Sequence, residues 1–160
     1  MSQAARPLAL VVDDEALLGL MAGDLLSEAG FDTLYAAGEA EALHRASMAP
    51  IDVAIVELWL NGSLAGQRVI RALREMRPAL PIVVITGFPG EAPQADLRGL
   101  GGPIARLEKP FGYAELPDVA RAVMDRAARE LPALDRRNTR QPIANSTSPI
   151  ALRGQWLPPR

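Results

Sequence analysis

The chain reads as an α/β domain built on a doubly wound, five-stranded parallel sheet of order 2-1-3-4-5 with helices on both faces. Three observations predict it. Short apolar runs alternate five times with segments of helical periodicity. The runs at 8–12, 53–56 and 81–86 are continuous and apolar, as strands buried on both faces require, whereas 31–35 and 104–108 mix polar with apolar positions as edge strands do. The central runs end in Asp13 and Asp14, in Glu57 and in Thr86, at the strand ends where open α/β sheets collect their ligands.

Leu8 to Val12 supplies the first strand, and a helix follows from Ala16 to Ala29, with Leu18, Met21, Leu25 and Ala29 turned inward and Gly30 as its C-cap. Phe31 to Tyr35 is the second strand, and Glu39 to Met48 a second helix closed by Pro50, with His44 on its solvated side. The third strand lies within Ile51 to Leu60 and ends at the Asn61-Gly62 turn. The third helix spans Ala65 to Arg77, with Val69, Ile70, Leu73 and Met76 inward and Arg68, Arg71, Arg74 and Arg77 as a solvated face. After the fourth strand, Pro81 to Thr86, glycines and prolines leave room only for a short, frayed fourth helix at Gln94 to Leu100. Ile104 to Glu108 is the fifth strand, and a fifth helix runs from Ala114 to Leu131 with Pro117 in its first turn.

At 160 residues the chain holds one well-buried domain, expected over 7–131, between an N-terminal arm at 1–6 and a disordered basic tail at 132–160. Residues 1–131 carry 12 basic against 18 acidic side chains, while 132–160 carry five arginines against Asp135. That tail is rich in proline and polar residues and lacks the periodic apolar positions a core needs. No cysteine is present and His44 is the sole histidine, which excludes disulfides, cysteine-bound zinc and a histidine triad. The N-terminal apolar run ends in acids too soon for a signal peptide or membrane span, so the expectation is a cytoplasmic protein without membrane or nucleic-acid partners.

Asp13 and Asp14 together suggest a hard cation, Mg²⁺. Asp14 also suits a helix N-cap and Glu15 the positive helix end, each worth about 0.3–1 kcal/mol. Capping leaves Asp13, at the last strand position, unexplained. Lys109, the only lysine beside sixteen arginines, stands before Pro110-Phe111 at the end of the fifth strand.

These residues, in this order, resemble the response-regulator receiver domain, the CheY-like family with its flavodoxin-like fold. The resemblance covers roughly 7–131. It includes Val-Val-Asp-Asp-Glu, the Asp52-to-Glu57 strand, Gly62 and Gly66, Ile-Thr-Gly at 85–87 and Lys109-Pro110-Phe111. The resemblance implies Mg²⁺ held by Asp13, Asp14, the position-57 carboxylate and the carbonyl of Trp59. It also implies phosphoryl transfer from a histidine kinase to position 57, with Thr86 and Lys109 gripping the phosphoryl oxygens. A group bringing about two negative charges does need a cation, an ammonium and a hydroxyl nearby.

Three departures bear on function. The family's acceptor is aspartate, but Glu57 stands here, its carboxylate about one bond length further into the pocket. Arg106 occupies the position of a switch aromatic, and Trp59-Leu60-Asn61 replaces a polar-Met-Pro sequence. The leading expectation is a stand-alone, non-enzymatic receiver in two-component signalling. It would bind a histidine kinase or another signalling protein without regulated phosphorylation at Glu57. A conventional phosphoacceptor receiver is the alternative, and a Mg²⁺-dependent phosphohydrolase, which would need an Asp-x-Asp loop, is a distant one. The resemblance also suggests a homodimer through the fourth helix, fifth strand and fifth helix.

Overall fold

The computed structural model describes residues 4–109 and 111–138. Five strands, β1 (Leu8–Val12), β2 (Asp32–Ala36), β3 (Val53–Glu57), β4 (Ile82–Thr86) and β5 (Ile104–Glu108), form one sheet in the order β2-β1-β3-β4-β5. Every neighbouring pair is parallel. This is the flavodoxin-like, CheY-like arrangement that the alternation of apolar runs and helical segments predicts. β3 and β4 are buried at every residue, whereas β2 exposes Asp32 and β5 exposes Glu108, the contrast that central and edge positions impose.

Helices α1 (Ala16–Glu28) and α4 (Leu116–Asn138) cover one face, where Ala22, Leu26, Leu116, Ala120 and Val123 pack on Val11, Ile55 and Val83. Helices α2 (Glu39–Met48) and α3 (Ala65–Met76) cover the other, where Ala42, Val69, Ile70 and Leu73 pack on Leu10, Ala54 and Val84. The buried face of α1 is one residue out of phase with the expected stripe. Gly19, Ala22 and Leu26 are buried and Met21 is exposed. The Tyr35 ring packs against Gly19, where a Cβ would fall 2.3 Å from it, and so constrains the rotation of the helix.

Three expectations are corrected. No α-helix forms over 94–100; the segment holds only a 3₁₀ turn, Pro93–Ala95. Gly99, Gly101 and Gly102 then take left-handed backbone conformations that a helix does not accommodate. The helical element of the expected dimer face is therefore absent among the described residues. The final helix starts later, after a 3₁₀ turn at Phe111–Glu115, and continues to Asn138. Ala133 to Arg137 are helix formers with no glycine to stop them. The rest of the expected tail, 139–160, lies outside the described residues.

The third correction concerns Arg74 alone, since Arg68, Arg71 and Arg77 are exposed as expected. Arg74 is buried and donates to the carbonyls of Leu80 at 2.7 Å, Pro103 at 2.9 Å and Pro78 at 3.3 Å. Gly102 lets the guanidinium approach, because a Cβ there would fall 2.1 Å from Nη1. Arg77 donates to the Ile51 carbonyl and Arg68 pairs with Glu39. A side chain of the third helix thus serves backbone carbonyls in the loops that lead into β4 and β5. Among the described residues no helix is long and apolar enough to cross a membrane.

Arg74→Met keeps the apolar stem and strands the Leu80 and Pro103 carbonyls. It is expected to destabilise the domain by about 2–3 kcal/mol in urea unfolding, with no change in m-value.

Candidate functional site

The strand order brings the ends of β1, β3, β4 and β5 to one edge, and the side chains marked in the sequence meet there. Glu57 closes β3 and Thr86 closes β4, while Asp13 and Lys109 stand just beyond β1 and β5. Asp13, Glu57 and Thr86 are all buried. The Lys109 ammonium lies 2.7 Å from Glu57 Oε2, 3.1 Å from Asp13 Oδ2 and 3.6 Å from Glu15 Oε1. Burial works against its charge, but the hydrogen bonds and charges of Glu57 and Asp13 outweigh it and hold the ammonium well above the ordinary lysine range.

Each acid is also tied to the backbone. Glu57 Oε1 accepts the Trp59 N–H at 3.0 Å, and Asp13 Oδ1 accepts the Glu15 N–H at 2.9 Å. Asp14 does not cap α1; its Oδ2 accepts the Asn61 N–H at 3.0 Å, joining the loops after β1 and β3. Asn61 itself takes a positive φ of 51°, tolerable for its short amide side chain. Thr86 Oγ1 accepts the Phe88 N–H at 3.2 Å, and the Thr86 carbonyl accepts the Lys109 N–H at 2.9 Å. The last contact places the backbone of Lys109 beside β4. Gly66 allows α3 to start against β3, since a Cβ there would fall 2.1 Å from the Glu57 carbonyl.

Oxygen donors of this kind suit Mg²⁺. Asp13 and Glu57 are turned to the ammonium and Asp14 to Asn61, so no three acidic or histidine side chains converge among the described residues. Arg106 lies outside this cluster and donates to the Phe88 carbonyl at 2.8 Å. Trp59 is 45% exposed, its ring edge-on to Phe88.

Sequence reasoning missed two tyrosines. Tyr35 donates its hydroxyl to the Asp13 carbonyl at 2.5 Å and steadies the acidic loop. Tyr113 is buried near the cluster, and its hydroxyl finds no partner among the described residues. Burial pushes its pKa up to about 12, with Lys109 opposing and Asp13, Glu57 and Glu15 adding. Neither residue sits in a motif; only the three-dimensional placement marks them.

Removing the ammonium leaves two buried carboxylates facing one another. Lys109→Met is expected to cost about 3–5 kcal/mol near neutral pH. Because the folded value lies above the ordinary 10.5, the lysine's contribution is fully present below that pH and is lost as pH rises through the folded value. The stability difference between wild type and Lys109→Met, followed by urea unfolding, should hold constant to pH 10.5 and shrink above it.

The family model of the response regulator receiver domain matches residues 9–121. An NtrX-like response regulator of Rickettsia felis is 32% identical over 109 residues, 67% of this chain and 22% of that protein. The chain thus spans about a fifth of that relative's length. A crystal structure of NtrX from Brucella abortus superposes with a TM-score of 0.72 at 27% identity, covering 83% of this chain and 30% of that one. A CheY-like receiver domain from Methanospirillum hungatei matches the fold alone, at a TM-score of 0.70 and 18% identity, over 79% of this chain and 99% of that one. With the matched region spanning most of the described residues and the site assembled at the expected strand ends, the chain belongs to the response regulator receiver domain family.

Proposed function

We propose that this receiver acts in two-component signalling as a cytoplasmic protein-binding module whose output does not depend on phosphorylation at position 57. Receiver domains of response regulators are signalling modules, and the partner in view is a histidine kinase or another protein of the same pathway. The observation that carries the reading is the pair between Glu57 and Lys109 at 2.7 Å.

A carboxylate that accepts a phosphoryl group must offer a free oxygen in line with the donor. Glu57 offers none readily: Oε2 is held by Lys109 and Oε1 by the Trp59 N–H. The longer side chain itself reaches the ammonium that would otherwise meet an incoming phosphoryl oxygen. In this reading Glu57 supplies permanently a negative charge at that position, and Lys109 answers it. Asp13, Asp14 and the Trp59 carbonyl, with Glu57, are the groups that would hold Mg²⁺ once the ammonium withdraws. That ion would offset the carboxylate charge.

The test is intact mass after incubation with acetyl phosphate and Mg²⁺. Wild type is expected to stay unmodified, while Glu57→Asp gains one phosphoryl group and Glu57→Asp with Asp13→Ala gains none. A phosphoryl adduct on wild type would overturn the reading and restore conventional phosphotransfer.

A further inference from the structure

Arg106 is the departure that the proposed function leaves unused. Its Nη2 donates to the Phe88 carbonyl at 2.8 Å, and its side chain is 26% exposed, with Glu108 3.9 Å away. The loop sits tightly on the guanidinium: a Cβ on Gly90 would fall 2.8 Å from Nη1. Phe88, held from below by this bond, meets Trp59 edge to face, ring centroids 5.9 Å apart and planes at 75°.

The two rings belong to the residues two places beyond Glu57 and Thr86. The side chains of Glu57 and Thr86 accept the N–H groups of Trp59 and Phe88. The ring pair therefore joins the loop after β3 to the loop after β4, beside the strand ends that carry the acid and the hydroxyl. Lys109 is fastened to the same edge through the Thr86 carbonyl, and its side chain is only 12% exposed.

A guanidinium fastens this loop differently from a ring. An aromatic side chain moves between an apolar slot and solvent without breaking a strong bond, whereas Arg106 must give up a charge-assisted hydrogen bond to let go. It also cannot enter an apolar slot unpaired. The loop that follows has no α-helix to stiffen it, so this bond is a principal restraint on Phe88.

We infer that Trp59 and Phe88 form an aromatic gate over the Glu57–Lys109 pair, latched by Arg106 through the Phe88 carbonyl. The closed gate keeps small reagents, phosphoryl donors of low mass among them, away from that pair. A protein contact that draws Phe88 aside opens it. Only this last clause rests on the proposed function; the gate and its latch are tested without any phosphoryl transfer, so either reading can fail alone.

Lys109 is the only lysine, so its acylation by sulfo-N-hydroxysuccinimidyl acetate is read unambiguously by peptide mass. The reaction needs the neutral amine and is therefore compared only as a ratio of variant to parent rates at one fixed pH. Trp156→Phe leaves Trp59 as the sole indole for acrylamide quenching. Loss of a charged hydrogen bond should open the loop often enough that Arg106→Ala and Phe88→Ala each raise Lys109 acetylation by roughly tenfold and raise Trp59 quenching with it. Arg106→Lys, which still donates to the Phe88 carbonyl, should stay within about twofold of the parent. Gly90→Ala displaces the guanidinium from an exposed loop position and should raise both readouts, which serves if Arg106→Ala fails to fold. Circular dichroism identifies folded variants. Unchanged acetylation in folded Arg106→Ala or Gly90→Ala overturns the latch. Raised quenching with unchanged acetylation in Phe88→Ala overturns the gate.

Discussion

The Lys109 ammonium, held between Glu57 and Asp13, is the contact on which the rest of this edge depends. Its three carriers are far apart in sequence and belong to the ends of β5, β3 and β1, so it forms only when the whole sheet is in register. The cost of burying these charges is met by the pair itself together with backbone donors to Glu57 Oε1 and Asp13 Oδ1. Those bonds in turn shape the loops after β1 and β3, and Asp14 ties the two loops together through Asn61. One ion pair thus organises three strand ends and the turns that leave them.

The sheet was legible because its signals are strong and local. Continuous apolar runs at β1, β3 and β4 can hardly be placed except in the middle of a covered sheet. Asp13, Asp14, Glu57, Thr86 and Lys109 were legible because polar groups at the ends of buried strands have little structural reason to be there. The phase of α1 was not, because it is constrained by the Tyr35 ring packing against Gly19, a contact between elements. Nor was the role of Tyr113, whose burial depends on how the turn before α4 docks. The segment from 87 to 103 misled for a different reason. A few helix-compatible residues around Gln94 to Leu100 carry a weak local preference, and the left-handed Gly99, Gly101 and Gly102 override it.

Glu57 serves the strand ladder and the site with different atoms. Nothing in the β3 ladder distinguishes glutamate from aspartate, and the neighbouring Gly66 packs on the Glu57 backbone carbonyl, not on its side chain. The difference appears only at the tip, where the longer carboxylate meets both Lys109 and the Trp59 N–H. Fold and site are therefore separable at this residue: the ladder uses its backbone and the site its carboxylate.

Several of the described arginines and the single lysine show a similar division of labour. Arg6 donates to the carbonyls of Ser27, Gly30 and Phe31, Arg74 to those of Pro78, Leu80 and Pro103, and Arg106 to that of Phe88. Arg77 and Arg121 likewise serve Ile51 and Ala29. A guanidinium has five donors in a fixed fork, which suits it to carbonyls left over at helix ends and in loops. An ammonium is a compact charge whose three donors rotate, which suits it to a point where carboxylates must be balanced. Among the described residues these five arginines hold irregular backbone together, and the single lysine balances the buried carboxylates.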